Sequence, residues 1–530
     1  MRNRAKFLGV MAVSLGLGSG CVIDLGPDGG DTSSSSTSAG GGGTGGGTGG
    51  SGGQPTGEAP PTCAELGGAT ADPKHPGIDA TRFAAPNDVS GCAHGFDAEA
   101  NRFTLAFAGT ATLSLEGGHL LANGNKCTAP DGSDVILDEA TVITVSGSEG
   151  DDALLLDFSK EGAGPLGAGA LAIDLSSGVD RLFIEGSDGP DAFAASESDA
   201  GLAIDSDADG DAEIRLNGLE LLVASLGDGD DRFDASPAAS APAIAQVVIC
   251  AGAGNDTLRG GAARDELEGG PGDDMILAAE VADGADLLDG GEGIDTADYS
   301  ARSNALEIRL DGNANDGEAS EFDDVRAEHV IGGAGNDTLV GSDADDILDG
   351  GPGDDAIDAG AGNDVVNGGS GDDTFAALAA LDGADIFNGG EGSDEIDYSA
   401  RPAGISVTLC VAPTNIGCDA TCTCAADDGQ ANEGDNLVNV ENVRGTAFSD
   451  TMIGDASSNQ LFGNGGDDML RGGYGDDSLF GDIGDDSLDG GEGDDYLDGG
   501  DGADTFEGGG GQGDICVVGI GELAPSCELY

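Results

Sequence analysis

Aspartate recurs at a spacing of nine residues near the end of this sequence. From Gly445 to Glu507 the chain divides into seven consecutive nonapeptides, among them GNGGDDMLR, GGYGDDSLF and GDIGDDSLD. They follow the pattern GGxGxDxUx, in which U is a large apolar residue. The sixth residue of each unit supplies a carboxylate, and the Gly-rich turn before it exposes backbone carbonyl groups. Such an all-oxygen donor set suits a hard cation such as Ca²⁺.

The sixth-position aspartates are the candidate metal ligands, and they fall into three blocks. Asn459 takes the sixth position of one unit and departs from the pattern. The candidate ligands are Asp256, Asp265, Asp274, Asp286 and Asp295 in the first block; Asp337, Asp346, Asp355, Asp364, Asp373, Asp385 and Asp394 in the second; and Asp450, Asp468, Asp477, Asp486, Asp495 and Asp504 in the third.

The elements that must position these carboxylates follow from the same nine residues. Six Gly-rich residues ending in Asp predict a turn with backbone in φ > 0 regions. The three residues around U predict a short strand with one side chain pointing inward. Successive strands then stack as parallel neighbours, so the sequence predicts an all-β fold, a parallel β-roll or β-solenoid.

The nonapeptides resemble the RTX (repeats-in-toxin, haemolysin-type) calcium-binding repeats. The resemblance implies that two nonapeptides form one coil and that several Ca²⁺ ions lie between turns on the same edge, 18 residues apart. Carried over to this sequence, one edge of the third block holds Asp450, Asp468, Asp486 and Asp504, and the other holds Asn459, Asp477 and Asp495.

The first two blocks are duplicates. DGADLLDGGEGIDTADYSAR, from Asp283, and DGADIFNGGEGSDEIDYSAR, from Asp382, match at 14 of 20 positions. Each is followed by an insert with an apparent strand, at residues 305–310 and 405–409. The sequence leaves open whether the blocks form three rolls or one long roll with two excursions. Upstream, isolated RTX-like turns end in Asp152, Asp191 and Asp231, and predict a wider β-solenoid.

The composition fits a metal-loaded repeat fold. The chain has 101 Asp+Glu against 19 Lys+Arg, and its net charge of −82 disfavours nucleic acid and anionic lipid as partners. Glycine accounts for 99 of 530 residues and Trp is absent, so a conventional core is short of bulky side chains.

The N-terminus predicts export. Arg2, Arg4 and Lys6 precede a short apolar stretch that ends at Ser19-Gly20-Cys21. This arrangement resembles a bacterial lipoprotein signal, which implies lipidation of Cys21 and an outer-membrane anchor, although Gly18 stands where that family prefers Leu. An ordinary cleaved signal and free secretion is the alternative.

We divide the chain at changes in composition and pattern. The predicted segments are a signal peptide at 1–20, a flexible Gly/Ser/Thr linker at 21–61, a small disulfide-linked β region at 62–144, a wider β-solenoid at 145–250, RTX block 1 with its insert at 251–331, block 2 with a Cys-rich insert at 332–444, block 3 at 445–516 and a disulfide cap at 517–530.

The cysteines predict disulfides in an exported chain. We expect Cys516 and Cys527 to close a short loop after the last repeat. In the second insert we favour two disulfides over a zinc site, and the pairing is open for Cys410, Cys418, Cys422 and Cys424. It is equally open for Cys63, Cys92, Cys127 and Cys250.

No catalytic motif stands out. None of the four histidines begins HExxH, and the GxSxG match at 49–53 lies in the Gly/Ser linker. We therefore expect a calcium-dependent structural or adhesive protein of the cell surface, with an extracellular polysaccharide or cell-surface ligand as a candidate partner. The alternatives are a polysaccharide-modifying or other hydrolytic enzyme on a β-helix scaffold, and a partner-binding display module.

Overall fold

The computed structural model describes residues 246–519, apart from 378–382, 410–427 and 432–433, together with residues 526–529. Upstream it describes residues 96–98, 102–108, 110–116, 119–129, 131, 133, 135, 142–148, 152–159, 171–175, 180–187, 189–198, 201–205, 214–217 and 219–235. Within these ranges the regular structure is β-strand, and no helix is long and apolar enough to cross a membrane.

The strands are short, and most have three to seven residues. The strands before the first block are β1 Phe96–Asp97, β2 Arg102–Ala106, β3 Thr110–Glu116, β4 His119–Ala122, β5 Asn125–Lys126, β6 Val142–Ser146, β7 Ala153–Asp157, β8 Leu171–Asp174, β9 Arg181–Glu185, β10 Ala192–Ser198, β11 Gly201–Asp205, β12 Ile214–Asn217, β13 Leu221–Asp228 and β14 Arg232–Asp234. The first block and its insert contain β15 Val247–Ala253, β16 Thr257–Arg259, β17 Glu266–Pro271, β18 Met275–Leu277, β19 Leu287–Glu292, β20 Thr296–Asp298, β21 Leu306–Arg309, β22 Gly317–Glu318, β23 Asp324–Arg326 and β24 His329–Ile331.

The rest of the chain continues in the same way. The second block and its insert contain β25 Thr338–Val340, β26 Ile347–Pro352, β27 Ala356–Asp358, β28 Val365–Ser370, β29 Thr374–Ala376, β30 Ile386–Glu391, β31 Glu395–Asp397, β32 Ser406–Thr408, β33 Asn436–Val438 and β34 Asn442–Arg444. The third block and the end contain β35 Thr451–Ile453, β36 Gln460–Phe462, β37 Met469–Tyr474, β38 Ser478–Phe480, β39 Ser487–Glu492, β40 Tyr496–Asp498, β41 Thr505–Gly509, β42 Ile515–Val517 and β43 Glu528–Leu529.

The apolar eighth residue of each unit forms the core. Leu470 pairs with Leu488 in parallel register, 18 residues on, while Leu479 pairs with Leu497 in the facing sheet. All four side chains are buried. Alternation along a three-residue strand turns the eighth residue inward and the seventh and ninth outward. The predicted all-β parallel roll is confirmed.

The pair of sheets that forms the roll changes along the chain. Among the described strands, sixteen of those between β1 and β33 form the first sheet. It faces a 10-stranded second sheet that ends at β23. A 12-stranded third sheet begins with β21 and β22 and replaces the second, and a five-stranded fourth sheet begins with β32 and replaces the first. Each insert therefore ends one sheet and starts another. The described strands therefore form one continuous roll and not three separate rolls.

The upstream part joins the same sheets. Strand β2 pairs with β6 in the first sheet, and β3 pairs with β7 in the second. The predicted domain boundary at residue 144 lies within β6, and the strands before and after it, β3 and β7, are neighbours in one sheet. The described residues all lie in the compact unit Pro60–Tyr530.

Candidate metal centre

The sixth-position aspartates form hydrogen-bonded ladders along the edges of the roll. In the third block, the N–H of Asp450 donates to Oδ1 of Asp468 at 2.8 Å, and Asp468 donates to Asp486 at 2.8 Å. On the opposite edge, Asp477 donates to Asp495 at 2.9 Å. Each carboxylate is therefore fixed by the coil before it. The implied division of the block between two edges matches the positions of these residues.

The first two blocks carry the same ladders. Asp256 donates to Asp274 at 2.7 Å and Asp337 to Asp355 at 2.7 Å, in both cases through the backbone N–H. Where a unit carries three extra residues the ladder continues with a longer step, as from Asp274 to Asp295 at 2.8 Å. The predicted ligands of all three blocks thus lie on turn edges of one roll.

Several sixth-position carboxylates keep one buried oxygen without a hydrogen-bond donor. Oδ1 accepts the ladder bond, whereas Oδ2 is buried and accepts none. Leaving a buried acceptor unsatisfied costs about 1–3 kcal/mol, and more for a charged group. These oxygens belong to Asp231, Asp256, Asp274, Asp295, Asp355, Asp364, Asp373, Asp394, Asp468, Asp477, Asp486 and Asp495.

Backbone carbonyl groups converge on the same oxygens. A Cβ added to Gly481 would collide with Oδ2 of Asp486 and lie 2.7 Å from the carbonyl oxygen of Gly499, one coil further on. A Cβ on Gly490 would likewise meet Oδ2 of Asp495. At these two turns glycine leaves open the space between the carboxylate and the next turn that a side chain would occupy.

Without a bound cation, the ionised form of these carboxylates is disfavoured. Burial raises the pKa of Asp468 to about 7, and the charges of Asp450 and Asp486 add to the rise. Burial likewise raises the pKa of Asp486 to about 6, with Asp504 adding to it. Desolvation and like charge both oppose ionisation, so a bound cation would stabilise these groups in their charged form.

The donor set fits Ca²⁺. No group of three or more His, Cys, Asp or Glu side chains in the described residues is arranged to hold a metal ion. A site here would therefore combine one or two carboxylate oxygens with several backbone carbonyls. Ca²⁺ accepts six to eight oxygen ligands, backbone carbonyls included, whereas zinc prefers nitrogen and sulfur. Asp486 and its equivalents would hold the ion together with turn carbonyls.

A second ladder lies outside the first and runs the opposite way. The N–H of Asp485 donates back to Oδ1 of Asp467 at 3.0 Å, and that of Asp494 donates back to Asp476 at 2.9 Å. These fifth-position side chains are exposed. The fifth-position carboxylates connect neighbouring turns by hydrogen bonds but face water. The buried carboxylates are those at the sixth positions.

The nonapeptide pattern does not include the residues that continue the ladders beyond the repeats. Asp295 donates to Glu328 and Asp394 donates to Glu441, each at 3.0 Å. Asp495 donates to Asp514 at 3.2 Å, in a unit with one extra residue. The duplicated Glu-His-Val and Glu-Asn-Val at 328–330 and 441–443 would have revealed the first two.

Where one sheet ends and the next begins, a tyrosine hydroxyl donates to the second carboxylate oxygen. This is the oxygen that accepts no hydrogen bond in residues such as Asp486. Asp286 donates to Oδ1 of Asp323 at 3.0 Å, and the Tyr299 hydroxyl donates to Oδ2 of the same residue at 3.0 Å. Tyr398 donates to Oδ2 of Asp435 at 3.2 Å in the second copy. The last carboxylate of each ending ladder is therefore satisfied by a side chain.

Arg302 neutralises the acidic groups around the first exchange. Its guanidinium is buried and pairs with Glu321 at 2.6 Å and Glu318 at 3.1 Å, while Nε donates to the carbonyl of Ala279. Asp283 lies 3.6 Å from the same guanidinium. A fixed positive charge thus occupies a turn edge that is otherwise lined with carboxylates.

The structure tests the disulfide predictions only for the cysteines that it describes. Cys516, in β42, forms a disulfide with Cys527, with their Cα atoms 5.6 Å apart. Cys127 and Cys250 are also disulfide-bonded. Cys21, Cys63 and Cys92 and the cluster Cys410, Cys418, Cys422 and Cys424 lie outside the described residues.

Comparison with known families agrees with the geometry. The model of the RTX calcium-binding nonapeptide repeat (4 copies) matches residues 251–280, 282–297, 325–357, 340–375, 377–400, 444–479 and 480–515. A search of curated protein sequences finds no match to the chain. The matched segments cover the three blocks whose turns carry the ladders. The matched segments therefore belong to the RTX calcium-binding nonapeptide repeat family, and these repeats bind multiple Ca²⁺ ions.

Proposed function

We propose that this protein is a calcium-dependent structural or adhesive component of the cell surface. The observation that carries the proposal is the exchange of sheets at the two inserts, which keeps one roll continuous from β2 to β43. A continuous stack of coils propagates order along its length, because each coil contacts its neighbours. Calcium between the turns would make the stiffness of this roll depend on the external Ca²⁺ concentration.

An aromatic strip on the third sheet supports a role in binding. Phe462 and Phe480 stack with ring centroids 4.9 Å apart, Tyr496 follows at 5.8 Å, and Arg444 lies 4.6 Å from the Phe462 ring. In the sequence the aromatic residues look scattered. The 18-residue coil aligns them, because Phe462 pairs with Phe480 in register.

The test is a glycan-array screen of the mature protein with and without Ca²⁺. We expect binding to a polysaccharide class only when Ca²⁺ is present, and weaker binding for Phe480→Ala. Phe448→Ala is the matched control, because Phe448 is an exposed aromatic residue outside the strands that carry the strip. Equal binding in excess chelator, or an equal loss for both variants, would argue against a calcium-dependent adhesive face.

A hydrolytic enzyme is the second candidate, and the same strip is the feature that favours it. Acidic groups accompany the rings, since Arg444 pairs with Glu395 at 3.2 Å. Release of reducing ends from any polysaccharide retained on the array would identify an enzyme. Retention without turnover supports the adhesive role.

We further propose that export and a lipid at Cys21 place the roll at the outer membrane. The support is the sequence Ser19-Gly20-Cys21 and the Gly/Ser/Thr linker that follows it. The intact mass of the mature protein should include acyl chains, and Cys21→Ser should release the protein into the medium. A mature mass without acyl chains would instead indicate an ordinary cleaved signal and free secretion.

A further inference from the structure

The repeat turns are of two kinds, which differ in the backbone of their second residue. In an open turn, the second residue has a left-handed φ, and Oδ2 of the sixth-position Asp accepts no hydrogen bond. Asp486 is an example, with Asp482 at φ 69°. In a closed turn, the second residue lies outside the left-handed region and its N–H donates to the sixth residue. Asp346 is an example, with the bond from Ser342 at 2.6 Å.

The division holds for each described turn in which both features are known. The second residues of the open turns are Gly227, Gly252, Gly270, Gly291, Gly351, Gly360, Gly369, Gly390, Asn464, Gly473, Asp482 and Gly491, with φ between 63° and 120°. The closed turns end in Asp152, Asp191, Asp265, Asp337, Asp346, Asp450 and Asn459.

Pairing between neighbouring coils accompanies the left-handed second residue. In several open turns the second residues of successive coils pair with each other, as Gly473 does with Gly491 and Gly351 with Gly369. In the turns of Asn464 and Asp482 the third residues pair instead, Gly465 with Ile483. In each of these turns the carboxylate Oδ2 of the sixth residue accepts no hydrogen bond.

Asn459 shows what a closed turn requires. It is the one sixth-position residue in the third block that is not Asp, and its turn is closed. Its Oδ1 accepts from the N–H of Asp455 at 2.9 Å, and its Nδ2 donates to the carbonyl of Glu441 at 2.9 Å. A neutral amide satisfies this position fully, so a closed turn needs neither a charge nor a metal.

The turn that ends in Asp231 is open, although it lies outside the family match, which starts at residue 251. Asp231 is 2 % exposed and its Oδ2 accepts no hydrogen bond. Gly227 has φ 112° and pairs with Gly252 of the next coil. The ladder is continuous here, because Asp231 donates to Oδ1 of Asp256 at 2.6 Å.

The carbonyl groups of this turn are also placed as in the matched repeats. A Cβ on Gly252 or Gly254 would collide with the carbonyl oxygen of Gly227 or Gly229, respectively. One coil further on, Gly270 stands in the same relation to the carbonyl of Gly252. Asp231 thus has the buried carboxylate and the carbonyl cradle that characterise turns inside the match.

We propose that Ca²⁺ binds at open turns and not at closed ones, and that the calcium-binding edge therefore extends upstream to Asp231. The buried, donor-free oxygen of an open turn gains a ligand only when a cation binds. In a closed turn the backbone N–H already occupies that oxygen, and a cation would have to displace it. The sixth-position residues Asp265, Asp337, Asp346 and Asp450 are then structural and do not bind metal.

Native mass spectrometry of the full chain at saturating Ca²⁺ tests both halves of the proposal. Asp231→Asn should lose a bound ion relative to the unchanged protein. Asp364→Asn, at an open turn, should also lose one, whereas Asp346→Asn, at the closed turn before it on the same edge, should lose none. An unchanged ion count for Asp231→Asn, or equal losses for Asp346→Asn and Asp364→Asn, would overturn the proposal.

A second measurement needs no variant and so does not depend on how well the variants fold. Anomalous diffraction from calcium-loaded crystals of the unchanged protein should show a peak within coordination distance of Oδ2 of Asp231. No peak should lie beside Oδ2 of Asp265, Asp337, Asp346 or Asp450. A peak at a closed turn, or none at Asp231, contradicts the assignment.

Discussion

The hydroxyl group of Tyr299 lies 3.0 Å from Oδ2 of Asp323 and donates a hydrogen bond to it. In open repeat turns the equivalent oxygen has no donor. We expect Tyr299→Phe to leave this oxygen buried and unsatisfied, and to lower the free energy of unfolding by about 1–3 kcal/mol. Urea unfolding at saturating Ca²⁺ measures the change. Tyr474→Phe is the control, because Tyr474 is exposed, and equal shifts for the two variants would count against the role of the bond.

Arg302 provides a prediction about buried charge. Replacement by Met removes the partner of Glu321 and Glu318 and leaves carboxylates buried without a cation. Breaking a buried pair in this way costs about 3–5 kcal/mol. The exposed pair of Arg309 with Glu307, at 2.9 Å, is the control, and Arg309→Met should cost no more than about 1 kcal/mol. Similar unfolding midpoints for the two variants would show that the carboxylates find another partner.

The calcium ladder predicts a difference between two aspartates three residues apart. Asp486 is buried, whereas Asp489 points outward near Arg471, at 3.6 Å. Asp486→Asn should move the folding midpoint in a calcium titration to a concentration higher by about tenfold or more. Asp489→Asn removes the same charge and should barely move it. Circular dichroism follows the titration, and equal shifts would mean that bulk charge, rather than ligation, controls folding.

The raised pKa values predict opposite effects of pH with and without Ca²⁺. Burial raises the pKa of Asp477 to about 7 and that of Asp495 to about 6, from an ordinary value of 3.8. The folded state therefore binds more protons than the unfolded state between about pH 4 and pH 7. Their contribution to stability is present below the unfolded pKa and is lost as pH rises through the folded pKa.

Acidification from pH 8 to pH 5 should then increase the strand signal of the calcium-free protein. The same acidification should raise the Ca²⁺ midpoint, because protons compete with the metal for the carboxylates. Circular dichroism at several pH values, in chelator and in calcium titrations, measures both trends. A strand signal in chelator that does not change with pH would contradict the raised pKa values.

The disulfide between Cys516 and Cys527 predicts a local effect on the end of the roll. Strand β42 pairs with β43, and the bond closes this last turn. Cys516→Ser together with Cys527→Ser should lower stability by about 2–4 kcal/mol. Hydrogen exchange should show the loss in protection concentrated at β40 and β42. A loss spread evenly over the third block would mean that the bond stabilises more than the terminal coil.

The sequence by itself determined the repeat unit and the metal. The spacing of Asp and of apolar residues such as Leu488 sets the turn, the strand and the inward side chain, because each depends on neighbours within nine residues. The tertiary structure decided the relations between distant segments. Tyr299 and Asp323 meet, and Phe462 and Phe480 align, only because coils stack at a fixed register.

The same distinction applies within the turns. Ser342 and Thr446 at the second position are compatible with a closed turn, since β-carbon-bearing residues other than Asn and Asp avoid left-handed φ. Glycine gives no such indication: Gly333 lies in a closed turn and Gly351 in an open one. Asp is equally ambiguous, for Asp455 is closed and Asp482 open. The turns differ in their relation to neighbouring coils, since Gly351 pairs with Gly369 of the next coil, and the local sequence does not encode that relation.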